Sequence, residues 1–191
     1  MLELVFATNN AHKLEEVQAM VNDNFVLKSL KDIGCTDDIP ETGETFAENA
    51  KQKTDYLANK YGLYCFGDDS GLEIDALNGE PGVYSARYSG SRDMEKNIEL
   101  VLSKLAGVNE RTARFKTIIS LYLNEKQHFF EGAIEGVIID ELRGTSGFGY
   151  DPIFIPNGYD RTFAEMSNEQ KNSISHRSIA VGKLADFLKK F

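Results

Sequence analysis

Residues 2–21 read LELVFATNNAHKLEEVQAMV and combine three patterns within a short segment. Residues 2–7 are apolar and β-prone, with one interior charge, which predicts a strand. The polar turn Thr8-Asn9-Asn10 follows. Apolar residues then recur at helical spacing from Leu14 to Val21. The segment therefore predicts a strand, a polar loop and a helix, an order that is typical of α/β proteins.

The same alternation continues along the first third of the chain. Residues 25–27 predict a second strand. A Thr-x-x-Glu capping box then predicts a helix over residues 46–61, which we expect Gly62 to end. Residues 63–66 predict a buried strand, which we expect to end at the turn Gly67-Asp68-Asp69-Ser70-Gly71.

The second half of the chain changes pattern. Consecutive antiparallel strands are predicted for residues 113–123, 127–131 and 133–139, with a hairpin link at residues 124–126. Further helices are predicted over residues 94–105, from Ser167 onward, and over residues 179–188. Alternating strands and helices followed by an antiparallel block predict an α/β fold, in which helices flank a central mixed β-sheet.

Composition limits the function classes. The 191 residues suggest a single domain or two small lobes, and 41% of them are hydrophobic. The net charge of −9 disfavours a protein that binds duplex DNA or RNA. We expect Cys35 and Cys65 to be reduced thiols in a cytoplasmic protein. The sequence shows no signal peptide and no apolar run of about 18 residues, so we expect no membrane association.

The first loop, Thr8-Asn9-Asn10-Ala11-His12-Lys13, is a candidate phosphate site. It precedes a helix, whose N-terminal amides and dipole favour anions, and Lys13 adds a positive charge. Many strand-to-helix turns are polar for other reasons. The loop also lacks the glycine spacing of a Walker motif.

A group of carboxylates is the second candidate, comprising Glu41, Glu44, Glu48, Asp68 and Asp69. Magnesium prefers a few carboxylates together with phosphate oxygens and water. Neighbouring aspartates on a strand point to opposite faces, so at most one of the pair is expected to face a common metal. An acidic turn is the structural alternative, and the capping role of Glu48 weakens it as a ligand.

The third candidate lies in the glycine-rich loop of residues 147–152. Two aromatic side chains between glycines, followed by Asp151, are able to stack on a base and accept a hydrogen bond from it. Aromatic residues that cap the core are the alternative reading. Lys171 and the run Ser175-His176-Arg177 offer donors for a carbonyl or a phosphate, but each is also compatible with a structural role.

Taken in order, these motifs resemble the inosine triphosphate pyrophosphatase family, whose members hydrolyse non-canonical purine nucleoside triphosphates. The resemblance spans nearly the whole chain. The matching stretches are Thr8-Asn9-Asn10-Ala11-His12-Lys13, Glu41-Thr42-Gly43, Thr45-Phe46-Ala47-Glu48-Asn49-Ala50, Asp68-Asp69-Ser70-Gly71-Leu72, Pro81-Gly82-Val83-Tyr84-Ser85-Ala86-Arg87, Gly147-Phe148-Gly149-Tyr150-Asp151-Pro152, and Lys171 with Ser175-His176-Arg177. One departure is Asn9, where the family commonly has glycine.

The resemblance implies roles for several of the matching residues. Asp69 would be catalytic, Asp69 and Glu41 would bind Mg²⁺, and Ser70 would touch the substrate. The triphosphate would be held by Thr8, Asn9, Asn10, Ala11, His12, Lys13 and Lys53. The base would be held by Phe148, Gly149, Tyr150 and Asp151, together with Lys171, His176 and Arg177.

The resemblance also implies an elongated two-lobed fold over residues 1–191, with the active site in the cleft between the lobes, and a homodimer. We expect inosine, deoxyinosine and xanthosine triphosphates to be cleaved to monophosphate and pyrophosphate. Three alternatives remain open at this point. They are a pyrophosphatase for modified pyrimidine or canonical nucleotides, a non-catalytic nucleotide sensor, and a nucleic-acid-binding protein that uses the aromatic loop.

Overall fold

A computed structural model describes residues 2–21 and 25–190. Within these residues, the strands are β1 (Glu3–Phe6), β2 (Val26–Lys28), β3 (Cys65–Ile74), β4 (Thr112–Leu123), β5 (Lys126–Ile138) and β6 (Phe154–Pro156). The α-helices are α1 (Ala11–Met20), α2 (Phe46–Tyr61), α3 (Met94–Lys104), α4 (Asn168–Ile174) and α5 (His176–Leu188). Short 3₁₀ helices cover Lys31–Ile33, Asp75–Leu77, Gly82–Arg87, Asp151–Ile153 and Phe163–Glu165.

The strands form one mixed sheet in the order β2-β1-β3-β4-β5-β6. Strand β1 runs parallel to both β2 and β3, whereas β5 runs antiparallel to β6. Strands β4 and β5 are joined by Asn124 and Glu125, which both adopt positive φ angles, as a tight two-residue hairpin requires. The predicted α/β class and mixed sheet are confirmed.

Strand β3 differs from the prediction because it continues through the two aspartates to Ile74. The expected turn at residues 67–71, and with it the placement of Asp68 and Asp69 at a strand end, is wrong. Polar partners make a charged strand interior tolerable, since Lys13 Nζ lies 3.1 Å from Asp68 Oδ1 and Asn49 donates to Asp69.

Strand β5 is longer than predicted. Residues 127–131 and 133–139 were expected to form two strands, but a single strand runs from Lys126 to Ile138. Gly132 lies inside it. A glycine lowers strand propensity but does not by itself end a strand. Because β5 has β4 and β6 as its neighbours in the sheet, it continues through Gly132.

Capping side chains set where the helices begin, as the sequence predicted. Thr45 Oγ1 accepts from the Glu48 amide at 3.1 Å, and Glu48 Oε2 accepts from the Thr45 amide at 3.0 Å. Helix α2 ends at Gly62, whose φ of 65° is the left-handed conformation that glycine favours. A second capping box joins Ser167 and Gln170 at the start of α4.

The chain divides into two compact units, and each contains buried apolar clusters of its own. Unit 1 comprises Met1–Asp69, Thr117–Gly132 and Arg177–Phe191, and unit 2 comprises Ser70–Lys116 and Ala133–His176. In unit 1, Phe6 stacks on Phe66 with ring centroids 4.6 Å apart. In unit 2, Phe154 packs against Phe115 at 4.7 Å. The sequence-based expectation of one domain with two lobes stays a prediction.

None of the helices in the described part of the chain has both the length and the apolar character needed to cross a bilayer.

Candidate active site

Asp68 and Asp69 lie in the middle of strand β3 in unit 1, and both are buried, with 1% and 7% of their surface exposed. The strand directs them to different partners. Asp68 pairs with Lys13, whereas Asp69 Oδ2 accepts a hydrogen bond from Asn49 Nδ2 at 2.9 Å. The two aspartates thus have different hydrogen-bond partners, and the expectation that at most one of them faces a common metal stays a prediction.

Two cations from different helices converge on the Asp68 carboxylate. Lys13, in the first turn of α1, places Nζ 3.1 Å from Oδ1, and Arg177, at the start of α5, places Nη2 3.5 Å from Oδ2. Arg177 also forms an ion pair with Glu16 of α1. These contacts tie α1 and α5 to strand β3 through charge-assisted hydrogen bonds.

Lys53 connects the strand to the segment before α2. Its Nζ donates to the Asp68 carbonyl at 2.7 Å and also pairs with the Glu41 carboxylate. Close packing of α2 on β3 makes this reach possible at Gly67, where a Cβ would lie 2.9 Å from Lys53 Cβ. Glycine at this position therefore allows the buried Lys53 to lie beside Asp68 and Asp69.

The charges of this cluster shift the pKa values of its members. Burial raises the pKa of Asp69, with Glu41 adding to the effect, although Lys13, Lys53 and the Asn49 hydrogen bond oppose it. Burial lowers the pKa of Lys13, against the attraction of Asp68. Burial acts to raise the pKa of Glu41, but the charge and hydrogen bond of Lys53 outweigh it, so that pKa lies below its ordinary value.

The candidate phosphate loop uses part of its polar atoms to cap α1. Asn10 Oδ1 accepts from the amides of His12 and Lys13, at 3.0 and 3.2 Å. Thr8 Oγ1 accepts from the Asn10 amide at 3.1 Å, and Asn9 Nδ2 donates to the Asp37 carbonyl at 3.3 Å. Ala11 and His12 are exposed. The loop is thus a formed N-cap, and its Lys13 also pairs with Asp68.

In unit 2, Asp151 and Lys171 form a buried ion pair, with Lys171 Nζ 2.7 Å from Asp151 Oδ2. The same carboxylate oxygen accepts from the Phe148 amide at 2.9 Å. Lys171 Nζ also lies 4.7 Å from the centre of the half-buried Phe148 ring, within cation–π range. The structure therefore brings together three of the residues predicted to hold the base.

Other residues predicted to hold the base take different positions. Tyr150 lies in the hydrophobic core of unit 2, and its hydroxyl donates to the Ser85 carbonyl at 2.7 Å, which matches the core-capping alternative for this aromatic. The His176 ring stacks on Phe115, with centroids 5.0 Å apart. Gly149 has a φ of 66° and shapes the turn after Phe148.

Sequence reasoning did not assign roles to Glu16 and Asn49, and it named Asp68 only as one of the candidate carboxylates. Glu16 and Asp68 both bind Arg177. Asn49 contacts Asp69 and lies four positions before Lys53, on the same face of α2. The four-residue spacing from Lys53, in a helix whose start was predicted from the Thr45 capping box, was the sequence pattern that could have indicated a role for Asn49.

The mixed sheet and the buried carboxylates flanked by lysines define an α/β protein with a site suited to phosphoryl-transfer chemistry. Comparison with known proteins identifies its family. The model of the Ham1 family matches residues 4–187, so the chain belongs to that family. The resemblance to the inosine triphosphate pyrophosphatases is confirmed by many similar dITP/XTP pyrophosphatases.

Similarity to individual proteins extends over the full length. The chain is 52% identical to the dITP/XTP pyrophosphatase of Christiangramia forsetii, over 99% of this chain and 100% of that protein. It is 46% identical to the protein of the same name from Bacillus subtilis, over 98% of each. A HAM1 protein structure from Coxiella burnetii superposes with a TM-score of 0.91 at 40% identity, covering 100% of both chains.

Proposed function

We propose that this chain hydrolyses non-canonical purine nucleoside triphosphates, namely inosine, deoxyinosine and xanthosine triphosphates, to the monophosphate and pyrophosphate. The names of its full-length relatives support this substrate class. The structural observation that carries the proposal is a buried aspartate, Asp69, in the same cluster as Lys13 and Lys53. A carboxylate beside lysines combines a proton acceptor with charge for a polyphosphate.

The lysines of unit 1 would neutralise the triphosphate. Lys13 and Lys53 are held by carboxylates, so their ammonium groups are already oriented. The amides and hydroxyls of the first loop, together with Ser70, would add neutral donors. Because the loop is fixed as the N-cap of α1, binding would cost little ordering of the backbone.

The donor chemistry of the cluster fits Mg²⁺. Glu41 and Asp69 offer hard carboxylate oxygens, and the charge of Glu41 raises the pKa of Asp69, a repulsion that a divalent cation would relieve. Among the described residues, no three His, Cys, Asp or Glu side chains converge on one point. Few protein ligands are typical of magnesium sites completed by phosphate and water. When bound, Mg²⁺ supplies positive charge to the triphosphate oxygens.

Asp69 would take the proton from the attacking water. As the water oxygen bonds to the α-phosphorus, the bond from that phosphorus to the bridging oxygen breaks, and pyrophosphate leaves with the electron pair. The Asp69 carboxylate is oriented by its hydrogen bond from Asn49, and a positioned carboxylate is able to act as a general base. No covalent nucleophile is needed.

The base would be held by unit 2. The Phe148 ring offers a stacking face, and Lys171 and Asp151 place a donor beside an acceptor. A 6-oxopurine presents the complementary pair, a carbonyl oxygen and a ring N–H. Adenine carries an amino group at position 6, so a lysine donor would face another donor.

A substrate panel tests the proposal. Pyrophosphate release is measured with Mg²⁺ for inosine, deoxyinosine, xanthosine, guanosine and adenosine triphosphates and for modified pyrimidine nucleotides. We expect the first three to be cleaved with the highest kcat/KM. A protein that binds inosine triphosphate without releasing pyrophosphate would be a sensor, and one that favours a pyrimidine or adenosine nucleotide would overturn the substrate assignment.

We further propose that the protein acts in the cytoplasm as a homodimer, without nucleic-acid partners. The acidic net charge of −9 supports the last point, because polyanion binding needs basic surface. Light scattering after size exclusion would test the dimer, for which a mass near twice 21.3 kDa is expected.

A further inference from the structure

Asn49 occupies an unusual position for a helical asparagine. It lies in the first turns of α2, is 1% exposed, and uses both ends of its carboxamide. Nδ2 donates to Asp69 Oδ2 at 2.9 Å, and Oδ1 accepts from the Gly43 amide at 2.7 Å. One side chain therefore joins strand β3 to the segment that carries Glu41.

Local structure fixes Asn49 in place. The Asn49 amide donates to the Thr45 carbonyl at 3.1 Å, which begins the regular hydrogen bonding of α2. Gly43 packs so closely on this turn that a Cβ would lie 2.6 Å from Glu48 Cβ and 3.0 Å from Asn49 Oδ1. A glycine at position 43 is what allows its amide to reach the asparagine.

The two hydrogen bonds require a carboxamide. The Gly43 amide needs an acceptor, and the Asp69 carboxylate needs a donor, so neither aspartate nor leucine satisfies both. We infer that Asn49 is a positioning residue that orients the Asp69 carboxylate relative to the segment of Glu41. The inference rests on the proposed function, because it concerns how Asp69 is held for proton transfer.

Gln52 offers a matched control on the same helix. Its Oε1 accepts from the Thr42 amide at 2.8 Å, and its Nε2 donates to Thr42 Oγ1 at 3.0 Å. Gln52 thus anchors the same segment without a hydrogen bond to Asp69. If the loss of activity came only from loosening this segment, Gln52→Ala would cause it as well. If it comes from a misoriented Asp69 carboxylate, only the Asn49 variants should show it.

The test compares kcat and KM for inosine triphosphate in wild type, Asn49→Asp, Asn49→Ser and Gln52→Ala. We expect Asn49→Asp to lower kcat about 10- to 100-fold, as loss of a group that orients a ligand or catalyst does, with KM changed less than about threefold. Asn49→Ser, whose side chain is too short to reach both partners, is expected to lower kcat in the same way. It serves as the test if the aspartate variant does not fold. Gln52→Ala should keep kcat within about threefold of wild type, well below the orientation effect.

A second readout is independent of turnover. In the ¹H–¹⁵N spectrum of the free protein, the Asn49 side-chain NH₂, assigned by its absence in Asn49→Ser, should exchange slowly with solvent. Asp69→Ala should accelerate that exchange, and Gln52→Ala should not.

The outcomes separate the inference from the proposed function. A wild-type protein that releases no pyrophosphate from inosine triphosphate rejects the function and the inference together. An active wild type with unchanged kcat in the Asn49 variants, or with an equal loss in Gln52→Ala, overturns the inference alone.

Discussion

Arg177 Nη2 lies 3.5 Å from Asp68 Oδ2, and the same guanidinium pairs through Nη1 with Glu16. Arg177 is 1% exposed, so both contacts are withdrawn from water. Motif resemblance assigns this arginine to the base. Its position in unit 1 also gives it a second task, which is to balance carboxylates next to Lys13 and Asp69.

We expect Arg177→Ala to lower the free energy of unfolding by about 3 kcal/mol, because it leaves the buried Asp68 carboxylate and the partly buried Glu16 carboxylate without their arginine. Urea denaturation measures this loss, and Lys189→Ala, which removes a surface ion pair with Asp186, is the control. The ratio of kcat/KM for inosine over adenosine triphosphate tests the base role. A smaller ratio in Arg177→Ala than in wild type supports the base role. An equal fall of kcat/KM for both nucleotides rejects that role and leaves the ion pairs.

Lys13→Ala is expected to weaken inosine and xanthosine triphosphates by similar factors, because Lys13 pairs with Asp68 in unit 1 and would meet phosphate rather than base. Lys13→Arg, which keeps the charge, should lose less. The measurement is KM for both nucleotides in the three proteins. A changed preference between the two bases, without a common loss, would contradict the phosphate role.

Asp69→Asn keeps the shape of the side chain and removes the proton acceptor. Turnover of inosine triphosphate should fall by at least about 100-fold, the size expected when an acid–base group is lost. Asp186→Asn, on the surface of α5, should leave turnover within about threefold, far from an acid–base effect. An Asp69→Asn protein with turnover in that same range would reject Asp69 as the base.

The sequence predicted the elements that depend on local chemistry, such as the capping box at Thr45, the helix start at Ser167 and the end of α2 at Gly62. It placed the end of β3 wrongly because Asp68 and Asp69 read locally as a turn. Lys13, the ion-pair partner of Asp68, lies more than fifty positions away along the chain, and Asn49, the partner of Asp69, lies twenty positions away. Tertiary contacts, which no local pattern contains, make those charges acceptable inside a strand.

The candidate site shows the same division. Lys13, Lys53, Glu41 and Asp69 were named from motifs, and the structure brings them into one cluster. The core position of Tyr150 was anticipated only as an alternative, because a loop aromatic between a glycine and an aspartate stacks on a ligand or packs inward according to its neighbours. Its hydroxyl partner, the Ser85 carbonyl, comes from a distant segment.

Asp37 supplies a prediction about pH. A hydrogen bond from Lys60 is the main cause that lowers the pKa of Asp37 from 3.8 to about 2. Because this pKa is depressed in the folded state, the stabilisation is present above the ordinary pKa and is lost as pH falls from about 4 to about 2. Asp37→Asn should therefore lower the urea midpoint at pH 6, with the difference shrinking over that acidic range. Asp38→Asn, at the exposed neighbouring residue, is the control, and a difference independent of pH would contradict the ion pair.

Gly147 and Gly149 form a matched pair for testing the base loop. Both have positive φ angles, 74° and 66°, so alanine at either position costs about 1 kcal/mol of backbone strain. A Cβ on Gly149 meets no atom within 4 Å, whereas one on Gly147 would overlap Asp151 Oδ2. That oxygen is held by Lys171 and the Phe148 amide, so it is not free to move aside.

We therefore expect Gly147→Ala to be less stable than Gly149→Ala by at least about 1 kcal/mol, a typical cost of overpacking a buried site. Displacing Asp151 also disturbs the donor and acceptor pair proposed to read the base. Gly147→Ala should consequently raise KM for inosine triphosphate more than Gly149→Ala does. Thermal unfolding and steady-state kinetics on the two variants make the comparison. Equal stability of the two variants would show that the Asp151 carboxylate moves aside at no cost. Equal KM values would contradict a role of the Asp151–Lys171 pair in base recognition.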